Sequence, residues 1–177
     1  MIGSACFAIA SLPFAAKLAH QGIVGVTYFA GSIFFTAASF EQLRACRPDG
    51  LDWWASVVQF AGTILFNVST FNAMRHGLSG HETNLLVWAP DAVGSICFLV
   101  SSGLAVPEAR GNRVARRVAS ENLIGSIAFG VSAIAAYVVP NTDNALNAAA
   151  ATSWTLIGAI LFFRAARLLP RATERGS

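Results

Sequence analysis

Asp91 is the residue in this chain best placed to do chemistry, because it is the only acidic side chain well inside one of the long apolar blocks. It belongs to a set. Tyr28, Gln59, Asp91, Asn122 and Thr155 each stand three positions before a glycine, in five successive apolar blocks. Polar groups at membrane depth avoid lipid and turn towards partners, so such a column has two uses. It can line a polar seam or small cavity that carries an ion or substrate. Alternatively, it can supply interhelical hydrogen bonds of ~0.6 kcal/mol each, and this plainer use is preferred. The depth of Asp91 decides its meaning. A helix beginning near Leu85 places it roughly 9 Å along the axis, where a carboxylate needs a partner or a proton. A helix beginning at Pro90 makes it a first-turn acid favoured by the helix dipole. The second start leaves about 24 Å to Ala105, short for a ~30 Å hydrocarbon core, so the deeper, kinked version is expected.

Other reactive patterns are weak. His20, His76 and His81 all fall between apolar blocks, and although Glu82 adjoins the last of them, the spacing matches no zinc motif. Haem within a bundle would want a histidine inside a helix, and none lies there. Gly77-Leu78-Ser79-Gly80 looks like the serine motif of rhomboid proteases. No histidine follows His81, however, so that serine would have no base. Asn67-Val68-Ser69 fits a glycosylation sequon but sits in the middle of an apolar block. Cys6, Cys46 and Cys97 are scattered and form neither a disulfide framework nor a redox pair. There is no glycine-rich phosphate loop. No catalytic, cofactor or metal residue is therefore assigned, and an enzyme is not expected.

The elements that must position the column follow from composition. Of 177 residues, 55% are hydrophobic and 12% charged, against about 25% charged in an ordinary soluble domain. The apolar residues are gathered into six blocks: Met1 to Ala16, Gly22 to Phe40, Trp53 to Met74, Leu85 to Val106, Ser120 to Val139 and Ala148 to Leu169. Lengths near twenty residues match a bilayer. The fold class is therefore all-α, a multi-pass bundle of six transmembrane helices over residues 1–169, followed by a basic tail at 170–177. No basic leader precedes Ile2, which argues against a cleaved signal peptide.

Arginine and lysine placement supports six spans. Ten of the twelve basic residues, among them Arg44, Arg113, Arg117, Arg164 and Arg171, fall on the side shared by both termini, leaving Lys17 and Arg75 opposite. Positive charge favours the cytoplasmic side, so both termini are expected there, in a bacterial inner membrane. The same charges suit anionic lipids at that face, at roughly 1 kcal/mol per basic residue, with no need for nucleic acid.

The six blocks also repeat one another. Gly3, Gly31, Gly62, Gly94, Gly125 and Gly158 each precede Ser, Thr or Ala. Four places beyond each glycine stands Phe7, Phe35, Phe66, Phe98, Phe129 or Phe162, with small residues seven and eight places beyond the glycine in every copy. At about 100° per residue these offsets form one stripe, small then large then small. Association of helices in lipid relies on such stripes, so the repeat is expected to be a packing device, built as three helix pairs. The first copy is odd because only two residues precede Gly3, which suggests a start codon further upstream.

Through GSACFAIASLP, YFAGSIFFTAAS, the block around FAGTILFNVSTF and PDAVGSICFLVSS, the chain resembles the YrhK-like membrane proteins over most of its length. The resemblance implies a membrane protein and brings no established activity or site residues. The expectation is a non-enzymatic packed helical module that assembles with itself or a membrane partner. The alternative is a small transporter or channel using the polar column around Asp91, with three parallel pairs as its repeated units.

Overall fold

The computed structural model describes residues 1–13, 15, 21–109 and 111–174. Helix α1 (Ile2–Ala10) is followed by α2 (Gln21–Ala45) and α3 (Leu51–Asn72). Helix α4 (Gly80–Thr83) runs through a π-helical turn, Asn84–Trp88, into α5 (Ala89–Glu108), and α6 (Arg113–Ala136) and α7 (Ala148–Glu174) complete the chain. The described residues contain no strand beyond an isolated bridge between Val138 and Ala145. Five helical runs are long and apolar enough to cross a membrane: Gly22–Ala45, Leu51–Asn72, Gly80–Pro107, Arg113–Ala136 and Ala148–Leu169.

Helix α1 is not among them. Its nine residues cover about 14 Å, and Ser11 caps it by donating its backbone N–H to the Phe7 carbonyl. Pro13, which has no N–H to give, follows two residues later. Residues 14 and 16 of the expected first span lie outside the described residues. The expected tail is helical as far as Glu174, and residues 175–177 also lie outside the described set.

The start of the fourth run has a local cause. Ser79 and Glu82 form a reciprocal capping box, so the helix begins at Gly80, earlier than Leu85. Pro90 would then collide with the carbonyl one turn before it. The π-turn directly ahead of Pro90 inserts the extra residue that relieves this clash, which places Asp91 at the deeper of its two alternative levels. Asn84 anchors the turn: its Nδ2 donates to the Val138 carbonyl at 2.8 Å while its Oδ1 accepts from the Val138 N–H at 2.9 Å.

The helices form a ring. Helix α1 packs on α2, α2 on α3, α3 on α5, α5 on α6 and α6 on α7, and α7 returns to α1. Opposed glycines lie within α1/α2, α3/α5 and α6/α7. A Cβ added at Gly3 would stand 2.8 Å from the Gly31 carbonyl oxygen, one at Gly62 would stand 3.1 Å from that of Gly94, and one at Gly158 would stand 3.0 Å from that of Gly125. Backbones this close exclude any larger residue. The residue after each glycine, Ser4, Ser32, Thr63, Ser95, Ser126 or Ala159, is at most 2% exposed. Each pair thus seals at the same two positions of the repeat.

The phenylalanines meet in the middle of the ring, in two layers. Phe7, Phe66 and Phe129 form one triangle, with ring centroids 6.3, 6.1 and 5.8 Å apart. Phe35, Phe98 and Phe162 form the other, at 6.4, 6.3 and 5.8 Å. Each ring of one layer also contacts its pair partner in the other, as Phe66 does by stacking on Phe98 at 5.0 Å.

Candidate functional site

Polar residues lie beyond each aromatic layer, and the direction of each helix decides which end they reach. Along α2, α5 and α7 the polar column residue comes seven positions before the phenylalanine, about 10 Å along the axis. Because α3 and α6 run the opposite way, the same seven-residue offset carries Gln59 and Asn122 to the other end. The column is therefore not one seam. The structure brings Tyr28, Asp91 and Thr155 together and leaves Gln59 and Asn122 apart from them.

The first group lines a cavity of about 200 Å³ floored by Phe7, Phe66 and Phe129. Trp88 forms part of its wall and is fixed by an Nε1 hydrogen bond to the Ala133 carbonyl at 2.8 Å. Two of the three polar residues are paired within their own helix pair. The Tyr28 hydroxyl lies 2.7 Å from Ser11 Oγ, and Thr155 Oγ1 lies 2.7 Å from Ser132 Oγ. Ser11 and Ser132 occupy the small positions at the end of their repeats, and the matching positions in α3 are Ser69 and Thr70. Thr70 is already committed, donating to the Phe66 carbonyl at 2.7 Å and lying 3.0 Å from Ser32 Oγ. Asp91 breaks the pattern. Its carboxylate, partly exposed to the cavity, makes no side-chain hydrogen bond or ion pair with any described residue.

At the other end Gln59 Oε1 accepts from Ser101 Oγ at 3.2 Å, and the Asn122 carbonyl accepts from Ser126 Oγ at 2.9 Å. Beside them lies an acid that sequence inspection missed. Glu121 is 6% exposed, and its Oε1 accepts from Arg117 Nε at 3.1 Å and from Arg164 Nη2 at 2.9 Å. Its Oε2 has no partner. Asp91 is therefore not the only acid enclosed by the helices, and Glu121 is the more buried of the two. Glu121 sits at the edge of an apolar block, next to arginines that read as a loop, but its four-residue spacing from Arg117 was a usable signal.

No three or more His, Cys, Asp or Glu side chains gather to hold a metal among the described residues. The site can pair and orient polar groups beside an apolar floor. Comparison with family models, with curated proteins and with solved structures yields no match.

Proposed function

We propose that the chain is a non-enzymatic membrane module of the YrhK-like type, a ring of packed helices inserted in a bacterial inner membrane with both termini cytoplasmic. One observation carries this reading: two triangular layers of phenylalanine occupy the centre of the ring, between the polar group around Asp91 and the polar group around Glu121. A conduit needs continuous polar lining or a gap, and filled aromatic layers favour packing over passage. In this reading the glycine and phenylalanine stripes hold the ring. The bilayer surrounds its exposed apolar side chains, anionic lipids meet Arg117, Arg164 and Arg167, and assembly with a second copy or another membrane protein uses the outer surface.

Reconstitution into liposomes tests it. The expected result is no proton or small-cation flux above that of empty vesicles, with Asp91→Asn altering stability only. Flux that Asp91→Asn abolishes in a folded protein would instead establish the second reading, a small transporter, which the Asp91 cavity favours.

A further inference from the structure

The three helix pairs offer an internal control on the Asp91 cavity. At equivalent positions Tyr28 and Thr155 are closed off by Ser11 and Ser132 at 2.7 Å, so neither needs anything from outside. In the third pair the equivalent residue is a carboxylate, the facing hydroxyl of Thr70 is used elsewhere, and the space beside it is open. Among the described residues lining it, the Asp91 carboxylate is left without a partner, as is the Ser69 hydroxyl, and of the two Asp91 is the charged group. A ligand that completes this site brings a positive charge or donates hydrogen bonds.

The walls narrow the choice. Calcium takes six to eight oxygen ligands, commonly several carboxylates among them, whereas this cavity has one carboxylate, and magnesium keeps a polar water shell that an aromatic floor does not support. The cavity has such a floor, with Tyr28 and Trp88 at the side. Faces of Phe, Tyr and Trp attract a weakly hydrated organic cation, and one carboxylate balances one such charge. A volume of about 200 Å³ accommodates a ligand of several heavy atoms.

We propose that the cavity between Asp91 and the Phe7, Phe66 and Phe129 layer is a binding site for a small monovalent organic ammonium ion. Asp91 supplies the counter-charge and the aromatic rings the wall. This goes beyond the packed-module reading and holds whether or not the module assembles or transports.

Calorimetric titration of the full chain in detergent micelles tests it, using tetramethylammonium chloride as probe against sodium chloride at equal ionic strength. Saturable binding of the ammonium salt is expected, about tenfold or more weaker in Asp91→Asn and largely retained in Asp91→Glu. Sodium chloride should give none. Absence of saturable heat down to millimolar affinity, or equal binding by Asp91→Asn with native helix content, would overturn the proposal. Should both variants fail to fold, tert-butyl alcohol decides on the unaltered chain. As a neutral molecule of similar size it should not compete, and competition equal to that of the ammonium ion would show that charge plays no part.

Discussion

Each of the two polar groups flanking the aromatic layers contains an acid, Asp91 in one and Glu121 in the other, and the two are treated differently. Glu121 is buried between two arginines that converge on one of its oxygens, an arrangement that ties α6 to α7. Asp91 lies on the far side of the aromatic layers, open to a cavity and with no cation paired to it among the described residues. A buried charge persists when it is paired, so Glu121 is explained by the fold alone. Asp91 contributes nothing evident to packing, and it is the acid left available for something other than structure.

The sharpest way to break this comparison is to remove the wall between the ends. Phe129→Ala takes out a ring that contacts Phe7, Phe66, Phe98 and Phe162, and a loss of about 3–5 kcal/mol is expected in reversible unfolding in mixed micelles. A loss below ~1 kcal/mol would mean that the layers are loose. Next comes the glycine contact that holds the pairs together. Gly62→Ala would push a Cβ to 2.8 Å from Cys97 Cβ and should cost about 1–3 kcal/mol. Gly130→Ala, in a helix with nothing within 4 Å, should be neutral or stabilising by up to ~1 kcal/mol. Equal effects at the two sites would remove the packing role of the repeat.

The smallest effects test the acids directly. Glu121→Gln weakens the hold on Arg117 and Arg164, whose side chains are 61% and 51% exposed, so about 1–2 kcal/mol is expected rather than the full cost of breaking a buried pair. Asp91→Asn should change stability by no more than ~0.5 kcal/mol, or raise it, when unfolding is followed by circular dichroism. A larger loss for Asp91→Asn than for Glu121→Gln would assign the structural role to the wrong end.

Much of the packing could be read from the chain, because glycine, its small neighbour and phenylalanine at fixed offsets place their side chains on one helix stripe whatever surrounds them. The polar column was legible as a face but not as a depth. Reversing direction at each helix sends Gln59 and Asn122 one way and Tyr28, Asp91 and Thr155 the other, and offsets measured from a glycine carry no sign. Glu121 was hidden by its flanking arginines, which look like solvated loop until α7 brings Arg164 alongside. The short α1 follows from Pro13, which local chemistry does announce. The π-turn does not follow from propensity; the signal available was Pro90 inside a run long enough to require an uninterrupted helix.

That π-turn has a bearing on how the fourth run can change. One extra residue in Asn84–Trp88 shifts the angular register of everything ahead of it by about 100° relative to a regular helix. The N-terminal part, with the capping box and Asn84, is keyed to the loop that carries Val138, while the part after Pro90 is keyed to the glycine contact at Gly62. A single-residue deletion between the two keys would put them out of step, so the two attachments fit together only at this one length of chain.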